Sequence, residues 1–520
     1  MTSRRLARGL SICGAVLLGA TLPAVASATD YPVPSGSGQA FATALAQAQG
    51  NPGPDRILLG AGYYTAPDSN GFQYASQSDP VEIAGSGREG PGATIINGPS
   101  GGSHTLWLGG GSDSSIHDVR IDLPIGAAAS ATALQTSGTV RHVVVFAKDT
   151  QQSNFHLGVA LNGGTLEDSI VDVGTKLSAG VNLSDGAAPS TIRGSVVTAE
   201  TPVSSSYGGL IERSRLIGGV SGLQAWRNLT TVRSSLIETQ LPQARAVWAY
   251  TTQKDNANVV LDGVDVIGPG GADSRGVRTS SNYQATTATA TVRNSVLRGF
   301  SAPLYAEGAN KIDASYSDYD GSGNVDKAGG MITESNISNV GDVAGFAAPG
   351  DYHLTQGSPL VDAGDPAAPQ GLDLAGNPLV ADGSGDGTAR RDIGAYELPG
   401  PAQLPPGGGG QDADTKAPVL SRFASTRRSF AKRTRFRFTL SETARVRITI
   451  QRVRGTGART RYRTVAAIRR TGTAGRNSTA FSRKVGRRLL HAGRYRAVAR
   501  AIDATGNRSA PRRATFRIAR

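Results

Sequence analysis

The chain has 520 residues, with 54 Lys and Arg against 40 Asp and Glu, and a single cysteine, Cys13. With no cysteine after residue 13, the rest of the chain excludes disulfide bridges, a cysteine nucleophile and thiolate metal sites. After residue 28 no apolar run approaches the roughly 20 residues that a membrane-crossing helix needs.

Residues 1–28 read as a secretory signal peptide: arginines at 4, 5 and 8, an apolar stretch from Leu10 to about Leu22, and small residues before a cut. Cleavage after Ala28 fits Ala26-Ser27-Ala28, with Ala26 as the alternative, and Cys13 lies inside this segment. A secreted protein of more than one domain is the expectation. Its charge is split unevenly. Residues 29–413 carry 21 Lys and Arg against 37 Asp and Glu, a balance of −16, whereas residues 414–520 carry 30 against 3, a balance of +27. Between the two, residues 399–415 have the Pro/Gly composition of a flexible linker. An acidic body over 29–398 and a basic domain over 416–520 follow.

Within the body, SGQAFATALAQAQG predicts a short helix and PDRILLGAGYYTAP a strand, a glycine turn and aromatics. Then a phrase such as TVRNSVLRG recurs. Aligned on its first apolar residue it gives Ile116, Val140, Leu166, Ile192, Ile211, Val232, Leu261, Val292 and Ile312, spaced 24, 26, 26, 19, 21, 29, 31 and 20 apart. Two residues later stand Asp118, His142, Asp168, Gly194, Arg213, Ser234, Gly263, Asn294 and Ala314, rich in types that tolerate a left-handed corner. Three residues later comes Ser or Val, and five later an apolar residue in all copies but the last, where Ser317 stands. Such a unit cannot bury its apolar residues alone, so neighbours must stack. The Val, Ile and Leu runs, broken by Gly and Ser, favour strands. An all-β fold results: a parallel β-helix with coils about 4.8 Å apart. One residue after each anchor, charges alternate in sign from Arg141 through Glu167, Arg193, Glu212, Arg233, Asp262 and Arg293 to Asp313. Stacked, they predict an outward ladder that sets register.

On this pattern residues 30 to 398 resemble the right-handed parallel β-helix, or pectin-lyase-like, superfamily. SPLVDAGD, DLAGNP and DIGAYE, in that order, resemble the closing segment of choice-of-anchor Q type secreted bacterial proteins. The resemblance implies a surface or secreted protein; enzymes of the superfamily mostly cleave or epimerise acidic polysaccharides. Polygalacturonase-like members carry Asn-Thr-Asp, an adjacent Asp pair, Gly-His-Gly and Arg-Ile-Lys, none of which occurs here. A pectate-lyase-like site, with carboxylate-bound calcium and an unpaired arginine, leaves no local trace either.

Candidate sites lie instead where the spacing breaks. The coils spaced 29 and 31 carry QARAVWAYTTQKDNAN and GGADSRGVRTSSNYQATTA, and Trp226, Trp248, Tyr250 and Tyr283 lie in or near them. Aromatic faces beside polar groups suit stacking on sugar rings, although such rings also pack loops onto a fold. DGSGDGTARRD places Asp382, Ser384, Asp386 and Gly387 at calcium-loop spacing, but position 12 is Ile393 instead of Glu; Asp392 or Asp373 are alternative oxygen donors. Asp-Gly strings also form ordinary turns. The six histidines show no metal-ligand spacing.

In the basic domain, TRFRFTLSE, ARVRITIQRV and GRYRAVARAID alternate Arg with apolar residues, predicting half-buried antiparallel strands in a small β-sandwich. AIDATGNRSAP resembles the closing turn of bacterial immunoglobulin-like or fibronectin-like modules. The expectation is a secreted or cell-surface protein that binds carbohydrate or cell-envelope polymer, with the basic domain as an electrostatic attachment module and no nucleic acid partner. A polysaccharide lyase is the alternative, with calcium as its expected cofactor.

Overall fold

The structure, a computed structural model, describes residues 28–400 and 418–519, apart from 77–78, 124–129, 148–155, 252–254, 284, 320–324, 327, 339–344, 349, 442–443, 455–460, 474, 486–487 and 503–508. The expected signal peptide with Cys13, nearly all of the linker and much of the AIDATGNRSAP turn therefore lie outside the described residues. The chain divides into two compact units, Met1–Gln403 and Leu404–Arg520.

The first unit is a parallel β-helix of 31 described strands. Each coil contributes a strand to three faces. On the first face the anchors stack in register from Ile57 through Ile83 and Ile116 to Val292, so two coils precede the first recognisable repeat. On the second face Ile121, Val145, Val171, Val197, Leu216, Ile237, Val266 and Leu297 stack the same way. A third face, with no repeat phrase of its own, stacks Leu106, Leu134, Val159, Val181, Val203, Leu223, Val247, Val277 and Leu304. All these inward residues are fully buried in one continuous core.

The last repeat is shifted from its expected place. Val292 pairs with Ala314, not Ile312, and Leu297 pairs with Tyr319. Alignment on the most apolar residue misses this by two positions, because a strand keeps its side-chain parity under a two-residue slip. The shift supplies the missing inward residue, Tyr319, puts Tyr316 in the corner position and makes Ser317 the serine that follows it. Asp313 consequently pairs with Lys311 and not with Arg293.

Between the first and second faces the chain turns through a left-handed residue in each coil: Asp118, His142, Asp168, Gly194, Arg213, Ser234, Gly263, Asn294 and Tyr316 all have φ between 45° and 68°. The serine that follows explains the repeat phrase. The Ser295 hydroxyl donates to the Arg293 carbonyl at 2.7 Å and accepts the Val264 N–H of the preceding coil at 3.1 Å. Ser169, Ser195, Ser214, Ser235 and Ser317 donate in the same way to the carbonyl two residues back. Each hydroxyl thus satisfies backbone groups that a left-handed corner takes out of the ladder.

The helix Gly38–Gly50, capped by Ser37 accepting the Ala40 N–H, buries Phe41, Ala44, Leu45 and Ala48 over the first coils. Phe41 meets Phe72 at 4.5 Å between ring centroids. Strand edges at that end are covered, which protects against edge-to-edge pairing.

The second unit has a five-stranded and a three-stranded sheet, antiparallel but for the parallel pairing of Ser429–Phe430 with Arg512–Ile518. One aromatic cluster joins them: Phe436 lies 5.3 Å from Phe481 and 5.6 Å from Phe516. This is a small β-sandwich, with the alternation of Arg outward and apolar inward visible in Arg433–Leu440.

Candidate functional site

Where the spacing lengthens, the third face widens. The strand Leu223–Ala225 spans three residues, whereas Arg245–Thr251 and Arg275–Ser281 span seven each. Inward, Val247 and Ala249 stack on Val277 and Thr279; outward, Gln224, Trp248, Arg278 and Tyr305 form one row at the coil spacing. Arg278 is thereby held between two rings, 5.0 Å from the Trp248 centroid and 5.7 Å from that of Tyr305. Its guanidinium donates to Glu307 from both Nη2 at 2.7 Å and Nε at 3.3 Å. Arg245 lies 5.2 Å from the Trp248 ring and Arg275 lies 4.6 Å from the Tyr305 ring.

Trp248 is fixed on every side. Its Nε1–H donates to Ser280 Oγ at 2.8 Å and its ring lies 4.6 Å from Tyr250. The Tyr250 hydroxyl in turn accepts from the Asn282 side chain. These groups line a groove of about 590 Å³ that also takes in Tyr283, which is 48% exposed on the loop beyond Ser281. Two arginines of the lining, Arg245 and Arg278, meet one carboxylate, Glu307, and Arg275 stands in register beside Arg245 over Tyr305, outside the lining; Arg245 and Arg275 have no carboxylate partner among the described residues. Burial lowers the Arg245 pKa, and repulsion from Arg278 and Arg275 lowers it further. An anion entering the groove relieves that repulsion.

Three of the four aromatics expected from the sequence, Trp248, Tyr250 and Tyr283, therefore meet in one groove. Trp226 follows Ala225, the partner of Ala249, and so stands one coil before Tyr250; it is 39% exposed. Arg245, Arg278, Ser280 and Glu307 were not singled out in the sequence. Arg278 is one coil length from Trp248, a signal usable only once the third-face register is known.

The residues at calcium-loop spacing carry a set of backbone hydrogen bonds. Asp382 caps its own turn, accepting the N–H groups of Gly385, Asp386 and Gly387, and Asp386 accepts that of Thr388. Ser384 gives its N–H to Asp362. Asp392 is buried and accepts the N–H groups of Asp362 and Leu398 at 2.7 and 2.6 Å. Among the described residues no group of three or more His, Cys, Asp or Glu side chains is placed to hold a metal ion.

The closing segment lies against the coils around residues 262–296. Arg391, almost wholly buried, sits 3.0 Å from Asp262, which also pairs with Arg293 at 2.9 Å. Asp262 is thus a buried hub, whereas the ladder pattern alone makes it a surface rung. Asp265 accepts the Ala395 N–H at 3.1 Å; its other oxygen has no hydrogen-bond partner among the described residues, and burial pushes its pKa up to about 8. Burial, then the charge of Asp392, pushes Glu397 up to about 9 while it accepts the Asp392 N–H. These acids clamp backbone; they do not open onto the groove residues.

No protein-family model matches the chain, and no curated protein sequence matches it. Among solved structures it is similar to an alginate lyase from Paenibacillus sp. str. FPU-7, at 14% identity over 60% of this chain and 99% of that one, with a TM-score of 0.35. It is also similar to the catalytic unit of a thermostable GH87 alpha-1,3-glucanase from Streptomyces thermodiastaticus strain HF3-3, at 15% identity over 61% and 69%, with a TM-score of 0.31. The full-length tailspike protein 2 of Escherichia coli O157:H7 bacteriophage CAB120 matches at 10% identity over 92% and 66%, with a TM-score of 0.29.

Proposed function

We propose that the chain binds an acidic polysaccharide in the third-face groove, with Arg245 and Arg278 facing its anionic groups, Arg275 in register beside Arg245, and Tyr250 and Tyr283 beside its sugar rings. The observation that carries this is three arginines gathered over aromatic faces with a single carboxylate, in a first unit that is otherwise acidic. Guanidinium groups match carboxylates in planar, two-pronged geometry, and fixed rings give a sugar an apolar face at small entropic cost. In the same reading the basic second unit attaches the protein to an acidic envelope polymer. The signal-peptide pattern of residues 1–28, the choice-of-anchor Q resemblance of the closing segment and the immunoglobulin-like resemblance of the second unit support a secreted or cell-surface setting.

Polygalacturonate, alginate and chondroitin sulfate should bind and neutral dextran should not, with affinity falling as salt rises from about 0.05 to 0.5 M. Arg278→Ala and Trp248→Ala should each weaken binding by about tenfold, the scale of one charge-assisted contact or one stacked ring. Equal binding of the neutral polymer, or indifference to Arg278→Ala, would refute the proposal.

A second reading, polysaccharide lyase, is favoured by the position of Arg245, which lines the groove with no carboxylate partner among the described residues, as an arginine that takes the proton beside a uronate carboxylate would have to be. Unsaturated products, followed by their ultraviolet absorbance, that appear with the wild type and vanish with Arg245→Ala would establish it. Repeating the assay with a chelator tests the calcium expectation at Asp382, Ser384, Asp386 and Asp392.

A further inference from the structure

The second unit offers more than diffuse positive charge. On the outer side of its three-stranded sheet the strand Arg433–Leu440 points Arg433, Arg435 and Arg437 into solvent at alternate positions, while Thr434, Phe436 and Phe438 point inward. Alternate residues of one strand are about 6.7 Å apart. Beside this comb lies a cleft of about 500 Å³ lined by Thr426, Arg427, Arg433, Arg435, Phe481 and Ser482.

The cleft is built, not incidental. The turn that carries Arg427 is pinned to the strand: the Thr426 N–H donates to the Arg435 carbonyl at 2.8 Å, the Arg435 N–H donates to Thr426 Oγ1 at 3.1 Å, and the Arg427 N–H donates to Thr434 Oγ1 at 3.3 Å. The Arg435 side chain is steered by its Nε–H bond to Ser478 Oγ at 2.9 Å. From residue 418 onward the only acids in the sequence are Glu442 and Asp503, so the unit has almost nothing with which to neutralise these arginines itself.

We infer that this cleft, with the Arg433–Arg437 comb leading from it, is the polymer-holding surface of the second unit, and that it takes a linear acidic sugar polymer. This rests on the reading that the second unit attaches the protein to such a polymer, and gives that attachment a place. One anionic group sits between Arg427, Arg433 and Arg435, and following ones meet Arg437 along the strand. The ring in the cleft wall, Phe481, is only 2% exposed. A single-stranded nucleic acid needs exposed rings on which its bases stack, and the cleft has none among the described residues.

The test uses the full chain and polygalacturonate as the probe, at about 0.1 M salt so that weak surface attraction is screened. R427Q/R433Q/R435Q is compared with R447Q/R500Q/R513Q, which removes the same charge from the outer side of the five-stranded sheet, and with the groove variant W248A/R278Q. The cleft triple should lose about tenfold or more in affinity and the opposite-side triple less than about twofold, because localised paired contacts outweigh general charge. R433K/R435K keeps the charge and loses the planar fork, so it should fall between them. Equal loss in both triples means diffuse attraction and overturns the inference, as does an unchanged cleft triple. Loss in the cleft triple without loss in the groove variant leaves this surface standing and removes the groove reading; the reverse removes this one. Tighter binding of single-stranded DNA than of polygalacturonate, abolished by the cleft triple, overturns the choice of a sugar polymer.

Discussion

In the β-helix, Arg193 stands between Glu167 and Glu212 of the neighbouring coils, 3.9 and 3.0 Å away. In the basic unit, Arg447 stands directly opposite Arg500 in register, and Arg494 opposite Arg517. One unit places unlike charges across its strands and the other places like charges there. Like charges directly opposite are destabilising by about 0.2 to 1 kcal/mol, so these pairs work against the sandwich that carries them. The contrast shows where to look in each unit. In the β-helix, paired charge is the rule and a cluster of arginines with one carboxylate is the exception, which marks the groove. In the basic unit unpaired arginine is everywhere, so only concavity and fixed geometry single out a site.

The largest expected effect tests whether the two units are as separate in stability as they are in charge. Phe436 is fully buried among Phe423, Phe481 and Phe516. Phe436→Ala should cost the second unit about 3 to 5 kcal/mol, enough to unfold it, while the β-helix melts unchanged. A common shift of both calorimetric transitions would show that the units fold as one.

Next comes pH, which acts on the β-helix through buried acids under its closing segment. Asp265 sits under the closing segment, with Tyr352 and Tyr396 near it and the Arg215–Glu238 pair beside those rings. Its pKa is raised in the folded state, from the ordinary value near 3.9 to about 8. At low pH both states are protonated and the clamp contributes fully. As pH rises the unfolded carboxyl ionises first, so stability falls from about pH 4 towards about 8, and the raised Asp392 and Glu397 add to the fall in the same direction. Asp265→Asn, which keeps an acceptor for the Ala395 N–H, should lessen that fall, the remainder belonging to Asp392 and Glu397. A wild-type β-helix equally stable at pH 5 and pH 8 would contradict it.

Much of this was legible because a solenoid repeats its constraints. Nine corner positions in sequence fixed the register of two faces, and eight of the nine are the left-handed residues observed. The ninth failed at Ile312, where the more apolar residue faces inward two positions ahead of the true anchor, Ala314. The third face stayed hidden: its inward residues recur, but loops of varied length separate them from the repeat phrase. For that reason the aromatics of the groove were visible as composition, while Arg278 and Glu307 were not visible as their partners. Burial of Asp262 was equally out of reach, since its cover, Arg391, is 129 positions further along the chain.

A smaller effect probes how the β-helix holds its coils. Ser295→Ala removes the acceptor of the buried Val264 N–H and the donor to the Arg293 carbonyl. Leaving that amide unsatisfied costs about 1 to 3 kcal/mol, and Ser295→Thr should recover part of it if the hydroxyl is what matters. Loss of stability in both variants alike would point to crowding of the interior instead.

The smallest effect is the most direct on the comparison, because one rule predicts opposite signs in the two units. Glu212→Arg places like charges beside Arg193 and, in register, Arg233, and should destabilise the β-helix. Arg447→Glu places an unlike charge opposite Arg500 and should stabilise the sandwich. Each change is worth about 0.2 to 1 kcal/mol, discounted toward the lower end because Arg193 and Arg500 are exposed to solvent. Both should shrink as salt rises, since screening acts on surface pairs. Stabilisation of the sandwich by Arg447→Glu together with unchanged polygalacturonate binding would mean that the opposed arginines of the five-stranded sheet serve neither the fold nor the polymer. Binding lost along with that stabilisation would move the polymer site from the cleft to the opposite sheet.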